Sequence, residues 1–213
     1  MNDTRIPKII HYIWLGTRPL DKVSQKCMNT WGKYLPDYEV KRWGDDECRD
    51  IINSNLYARQ AYEAKKYAFV SDYLRVYILY NYGGVYMDTD VQMFKSIDRF
   101  LIHGAFTCFE NKTQIPTALM ASAKGNQWMK ALLDYYDDKS FIDADGHMDI
   151  TTNVDAITNV SLGMGFVPNA QIQVFSDDVH IYTKDYFCPI DTKNKANDIF
   201  TENTYAAHLY NGS

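Results

Sequence analysis

From Ala58 to Tyr82 the chain carries neither glycine nor proline. Ala64, Ala68, Val76 and Leu79, with neighbouring aromatics, give this stretch a wide apolar face, so the pattern predicts one long helix over 58–82. Gly83-Gly84 stops it abruptly. Val85-Tyr86-Met87 follows at once as a short apolar strand that ends in Asp88-Thr89-Asp90. A buried helix that hands over directly to a buried strand is one unit of an α/β layer.

The flanking segments extend that pattern. Ile9 to Leu15 is a continuous apolar run closed by Gly16, which reads as a buried strand. After Pro19, Val23, Cys27 and Trp31 recur four apart and predict a helix over 21–33. Tyr38 to Trp43 alternates apolar with charged residues, a second strand, and Asp45 is placed to cap a short helix running to Ile52. Further strands are expected at 105–109, 117–122, 172–175 and 204–210. Asn126 should cap a helix carrying Trp128, Leu132, Leu133 and Tyr136, and the polar stretch 137–149 reads as a loop. No repeat or linker divides the chain, so residues 1–213 are expected to form a single domain.

Composition narrows the functions. The net charge is −5, the wrong sign for a protein that must displace counterions from a duplex, so nucleic acid is not expected as a partner. Cys27, Cys48, Cys108 and Cys188 show no paired spacing and read as buried thiols of a reducing compartment. No apolar run is long enough to span a bilayer, and the amino-terminal residues lack the pattern of a secretory signal. These features together suggest a cytoplasmic location. The chain has 17 tyrosines and four tryptophans, a weak sign of surfaces that accept planar or sugar-like ligands.

Two carboxylates two residues apart at a strand end can address one hard cation such as Mg²⁺ or Mn²⁺. Spacing alone is not diagnostic. All but five of the 27 acidic residues are Asp, and Asp143-Ala144-Asp145 repeats the triplet. That second copy lies in a polar loop and reads as solvated charge. Asp88 and Asp90 instead follow an apolar strand, at the carboxyl end where an open α/β sheet has its ligand crevice. On the preceding helix, Asp72 and Arg75 are three apart and share a face. A charged pair on so apolar a helix suits the recognition of sugar hydroxyls by Asp and of phosphate oxygens by Arg.

Three segments carry a family resemblance: Ile6-Pro7-Lys8-Ile9-Ile10-His11-Tyr12-Ile13-Trp14-Leu15-Gly16, Ala68-Phe69-Val70-Ser71-Asp72-Tyr73-Leu74-Arg75, and Tyr82-Gly83-Gly84-Val85-Tyr86-Met87-Asp88-Thr89-Asp90. In this order they closely resemble the DXD-containing sugar transferases of glycosyltransferase family 32. More distantly they resemble the catalytic domain of the large clostridial glucosylating toxins. The resemblance implies an α/β fold of GT-A type, with a central mixed sheet flanked by helices that binds a nucleotide sugar. It also implies a UDP- or GDP-sugar donor, Mn²⁺ or Mg²⁺, and retention of anomeric configuration. The acceptor would be a glycan or lipid-linked saccharide, in capsule or surface polysaccharide synthesis, with peripheral contact at the inner face of a membrane. Residue by residue, it assigns Trp14 to the nucleobase, Asp72 and Arg75 to the donor sugar and its surroundings, Asp88 to the ribose and metal, and Asp90 to the metal directly.

His208 opens a segment similar to the family's closing stretch and would be a third metal ligand. That stretch usually continues into Ser-Trp, whereas this sequence stops at Ser213. The chain is therefore expected to bind donor better than it transfers sugar. His11 and Ser71 are expected to be structural, and Trp128, Tyr135 and Tyr136 to belong to the core. Thr152 and Asn153 lie where family members approach the donor. No residue is assigned as nucleophile. Two other readings stay open: a haloacid-dehalogenase-like phosphatase, in which an Asp ending an apolar strand is the nucleophile, and a catalytically inactive nucleotide-sugar-binding domain.

Overall fold

The computed structural model describes residues 4–211. Among these, seven strands form one mixed sheet. They are β1 (Ile9–Ile13), β2 (Glu39–Trp43), β3 (Gly84–Met87), β5 (Ala105–Cys108), β6 (Leu119–Ser122), β7 (Gln173–Phe175) and β8 (Val179–Tyr182), in the order β2-β1-β3-β6-β5-β8-β7. β1 runs parallel to β2 and β3, and β5 parallel to β8, while β6 and β7 are antiparallel to their neighbours. The carboxyl ends of β1, β3, β5 and β8 therefore share one edge. A separate two-stranded ladder joins β4 (Val91–Met93) to β9 (Ala206–His208).

The helices are α1 (Lys22–Tyr34), α2 (Asp45–Ser54), α3 (Leu56–Glu63), α4 (Tyr67–Tyr82), α5 (Gln127–Asp134) and α6 (Asn153–Gly163). Successive strand residues point to opposite faces, and the two cores follow that alternation. Tyr86, Met120 and Ile181 pack with α2 to α6 on one side. Val85, Met87 and Phe106 pack on the other with Trp31 of α1 and with the β4–β9 ladder.

The long helix expected over 58–82 is two helices. Lys65 lies in the left-handed region (φ 57°), and the Lys66 N–H turns back to the Ala61 carbonyl. The break allows α4 to restart under the sheet at a new angle, and no glycine or proline signals it. Asp45 does not cap α2. Gly44 is the cap, and Glu47 reaches back to the Gly44 N–H at 3.0 Å; Asp45 instead accepts from Gly16 N–H and the Tyr62 hydroxyl. Asn126 does cap α5, through Trp128 N–H. The segment 137–149 is a loop apart from one isolated bridge, Ile142 to Met148. All four cysteines are free and buried. No helix among the described residues is long and apolar enough to cross a membrane.

Gly83-Gly84 does more than end α4. Gly83 sits at φ 68° and Gly84 at φ 108°, backbone conformations that a side chain strains. A Cβ on Gly84 would come within 2.7 Å of the Ile9 carbonyl and 2.9 Å of His11 Nε2. His11 Nε2 donates to the Gly83 carbonyl at 2.8 Å, while Nδ1 accepts from Trp43 Nε1 at 3.1 Å. Burial lowers the His11 pKa to about 4, so the ring is neutral in one tautomer. His11 is a structural brace between β1, β2 and the α4–β3 turn. That brace sets the position of the strand end that follows.

Candidate active site

At the shared carboxyl edge lies a cavity of about 530 Å³, lined by Trp14, Ser71, Arg75, Asp88, Asp90 and Asn211 among others. β1 delivers Trp14, α4 delivers Ser71 and Arg75, and β3 runs into Asp88. Trp14 is half-exposed at the mouth, its ring fixed by a bond from Nε1 to the Arg18 carbonyl. Ser71 bonds the Tyr67 carbonyl, as expected of a helix-packing serine.

Arg75 is the buried hub, with 6% of its side chain exposed. Nε donates to the Ser71 carbonyl (3.2 Å), Nη1 to the Thr117 carbonyl (2.8 Å) and Nη2 to Asp72 Oδ1 (3.0 Å). Nη1 also lies 3.5 Å from Asp88 Oδ1. The guanidinium rests over the Tyr86 ring at 4.7 Å, and the Tyr86 hydroxyl donates to Asp88 Oδ1 at 2.6 Å. Three of the five guanidinium donors are thus committed within the protein, and Arg75 orients the two carboxylates beside it. Asp72 sits behind Arg75 rather than in the cavity wall. Burial raises its pKa to about 6, against the pull of Arg75.

Asp90 faces the other way. Its Oδ2 accepts from the Asn211 N–H at 2.7 Å, and its backbone carbonyl accepts from Leu209 N–H. His208 Nε2 approaches Asp90 Oδ1 to 3.3 Å. Burial works against the Asp90 charge, but His208 and the Asn211 N–H outweigh it and hold the carboxyl below its usual range. Burial likewise opposes the charged form of His208, and the neighbouring carboxylates raise its pKa in spite of that.

One ligand-type atom from each of Asp88, Asp90 and His208 lies within 4.8 Å of the other two. His208 Nε2 is buried, and beyond its 3.3 Å approach to Asp90 Oδ1 it makes no well-formed hydrogen bond among the described residues. A buried nitrogen without a partner costs free energy unless something occupies its lone pair. Two carboxylates and that nitrogen fit a divalent cation.

The structure therefore brings together Trp14, Arg75, Asp88 and Asp90 at the cavity, with Asp72 and His208 each one contact behind it. Ser213 lies outside the described residues. Tyr135 is only partly buried, whereas Trp128 and Tyr136 are core. Tyr86, Asn211 and the Ser24–Thr89 hydroxyl pair (3.1 Å) were not singled out from the sequence. Tyr86 was within reach of it, because strand alternation puts Tyr86 and Asp88 on one face. Asn211 was not, since its backbone N–H meets a side chain 121 residues away.

The fold and one matched region make the chain similar to glycosyltransferases of the DXD-containing class. Residues 21–107 match the model of the glycosyltransferase sugar-binding region containing the DXD motif. Inositol phosphoceramide mannosyltransferase 3 of Schizosaccharomyces pombe is 30% identical over 129 residues, covering 58% of this chain and 35% of that protein. An uncharacterized glycosyltransferase of Acanthamoeba polyphaga mimivirus is 24% identical over 208 residues, 95% of this chain and 81% of that one. The chain spans about a third of the length of the fission-yeast mannosyltransferases it matches. In three dimensions it resembles the PaToxG glycosyltransferase, with a TM-score of 0.55 at 20% identity over 74% of this chain and 69% of that one. That likeness bears out the GT-A type of fold expected from the sequence.

Proposed function

We propose that residues 1–213 act as one catalytic domain of a metal-dependent retaining hexosyltransferase. It would move a sugar from a UDP- or GDP-sugar to a glycan or lipid-linked saccharide in capsule or surface polysaccharide synthesis. The observation that carries this reading is the convergence of Asp88, Asp90 and the buried His208 Nε2 beside a cavity at the strand ends. Asp88, Asp90 and His208 would hold Mn²⁺ or Mg²⁺, and the imidazole tilts the choice toward Mn²⁺. When bound, such an ion supplies positive charge beside the leaving diphosphate.

The protein's own groups do the rest. Trp14 offers an aromatic face at the cavity mouth for the nucleobase. Arg75 fixes Asp88 and Asp72 and adds fixed positive charge where the leaving diphosphate develops negative charge. Asp72, ionised near neutrality, accepts from sugar hydroxyls once the donor reaches past Arg75. The acceptor hydroxyl enters on the face the diphosphate leaves, and the departing phosphate takes its proton. A cytoplasmic place at the inner face of a membrane suits a lipid-linked acceptor, a class supported by the relative named for inositol phosphoceramide.

The test is a panel of nucleotide sugars with Mn²⁺ or with EDTA, read by thermal shift and by donor hydrolysis or transfer. One UDP- or GDP-sugar should raise Tm only with metal and be turned over. If no member of the panel gives metal-dependent stabilisation, the proposal fails. Binding without turnover on any acceptor reduces the chain to a nucleotide-sugar-binding domain.

A further inference from the structure

At the opposite edge of the sheet, the amino ends of β5 and β8 lie side by side, with Ala105 opposite Val179 and Phe106 opposite His180. His103 stands two residues before β5, and Asp178 and His180 flank the start of β8. The rings of His103 and His180 stack, with centroids 3.5 Å apart and planes 18° apart. Asp178 Oδ1 lies 2.7 Å from His180 Nε2, and His103 Nε2 lies 2.8 Å from the Tyr182 hydroxyl. One ligand-type atom from each of His103, Asp178 and His180 falls within 4.8 Å of the others, and all three residues are partly exposed. The donor cavity uses none of them.

The local backbone is committed to this arrangement. Asp177 and Asp178 are the central residues of the Ser176–Val179 turn that joins β7 to β8, and both have positive φ (47° and 60°). Such turns favour Gly, Asn and Asp, and each of the two aspartate side chains is also held by a partner. Asp177 Oδ2 accepts from Gln127 N–H at the start of α5. Asp178 Oδ2 accepts from Gly104 N–H at 2.9 Å and pairs with Arg5 at 2.7 Å, which locks the carboxylate and turns Oδ1 toward His180. A carboxylate held from behind and an imidazole whose second nitrogen meets a hydroxyl are the outer contacts that orient metal ligands.

We propose that His103, Asp178 and His180 bind a borderline divalent transition-metal ion of zinc type at a second site, remote from the donor cavity, that fastens the β7–β8 hairpin to the entrance of β5. Two imidazoles and one carboxylate select Zn²⁺ over the oxygen-seeking Mg²⁺ and Mn²⁺. The ion takes the place of the proton between His180 Nε2 and Asp178, that ring proton moves to Nδ1, and the stacked rings splay so that their lone pairs converge.

The experiment titrates zinc chloride into tag-free chain carrying Asp90→Asn, which disables the donor-end cluster, with calorimetry and thermal unfolding as readouts. One ion per chain should bind and raise Tm. Adding His180→Asn or, independently, His103→Gln should weaken binding at least tenfold and remove the Tm rise. Tyr182→Phe, which leaves the three ligands in place, should weaken it less. His147→Ala, in the exposed Asp143–Asp145 loop, should change nothing. Circular dichroism in EDTA confirms that each variant is folded. No zinc binding by the Asp90→Asn chain, or unchanged affinity after loss of either histidine, overturns the site.

Discussion

The chain contains the same triplet twice, and the two copies behave in opposite ways. Asp88-Thr89-Asp90 and Asp143-Ala144-Asp145 have identical spacing, and each has a histidine within reach, His208 and His147. In the second copy every member is exposed and the contacts are local. Asp143 Oδ1 accepts from Asp145 N–H and His147 N–H, so the carboxylate folds its own loop. In the first, Asp88 is held by Arg75 and Tyr86 and Asp90 by Asn211 and His208, partners drawn from α4, β3 and the carboxyl-terminal segment. What separates a candidate site from a loop is where the partners come from.

The contrast breaks most sharply at Asp90. Asp90→Asn should lower Mn²⁺-dependent donor affinity and turnover by at least about a hundredfold, while Asp145→Asn leaves both unchanged in calorimetry and rate assays. Equal losses in the two variants would erase the distinction. Arg75→Lys comes next. An ammonium cannot keep the bonds to Ser71, Thr117 and Asp72 at once, so kcat should fall roughly ten- to a hundredfold with a smaller change in KM. A rate near wild type would mean that Arg75 orients nothing the reaction needs.

Asp72 should give a pH signature that no loop aspartate shares. Its folded-state pKa of about 6 lies above the ordinary aspartate value of 3.8. If the ionised form holds the sugar, turnover falls as pH drops below about 6. Stability runs the other way. The raised pKa means that the folded state holds the proton more tightly, so this contribution is complete below pH 3.8 and is lost as pH rises through about 6. It amounts to something on the order of 3 kcal/mol. Asp72→Asn should abolish both trends, measured as kcat against pH and as urea midpoints against pH. Trp14→Ala should raise donor KM several-fold, as expected for the loss of one stacking face, with little effect on kcat. The smallest effect belongs to the loop: Asp143→Asn should change stability by no more than about 0.5 kcal/mol and turnover not at all.

The elements next to the motif were legible because their signals are local. The apolar run of β1, the glycine pair and the strand after it announce themselves in sequence. The break at Lys65 did not, since a left-handed lysine is dictated by how α3 and α4 pack. β4, β8 and α6 were not foreseen: β4 is three residues long, and α6 spreads its apolar residues widely around its axis. In the site, spacing gave Asp72 with Arg75 and strand position gave Asp88 with Asp90, but His208 came only through the family resemblance. Its place depends on a ladder between segments more than a hundred residues apart, and no periodicity reports that.

That ladder also fixes which changes of chain length the protein can tolerate. β4 and β9 pair through Val91–His208, Gln92–Ala207 and Met93–Ala206, and side chains alternate faces with a period of two. Adding or removing one residue within β9 would reverse parity, turning a neighbour of His208 toward Asp90 and His208 away from it. Two residues would restore the face but shift the reach by a full repeat. Upstream, over residues 190–203, the chain is mostly irregular and exposed, and parity imposes no such rule there. Insertions and deletions in this part of the molecule should therefore be tolerated in that stretch and not in the ladder, whose three pairs act as a reading frame for the histidine.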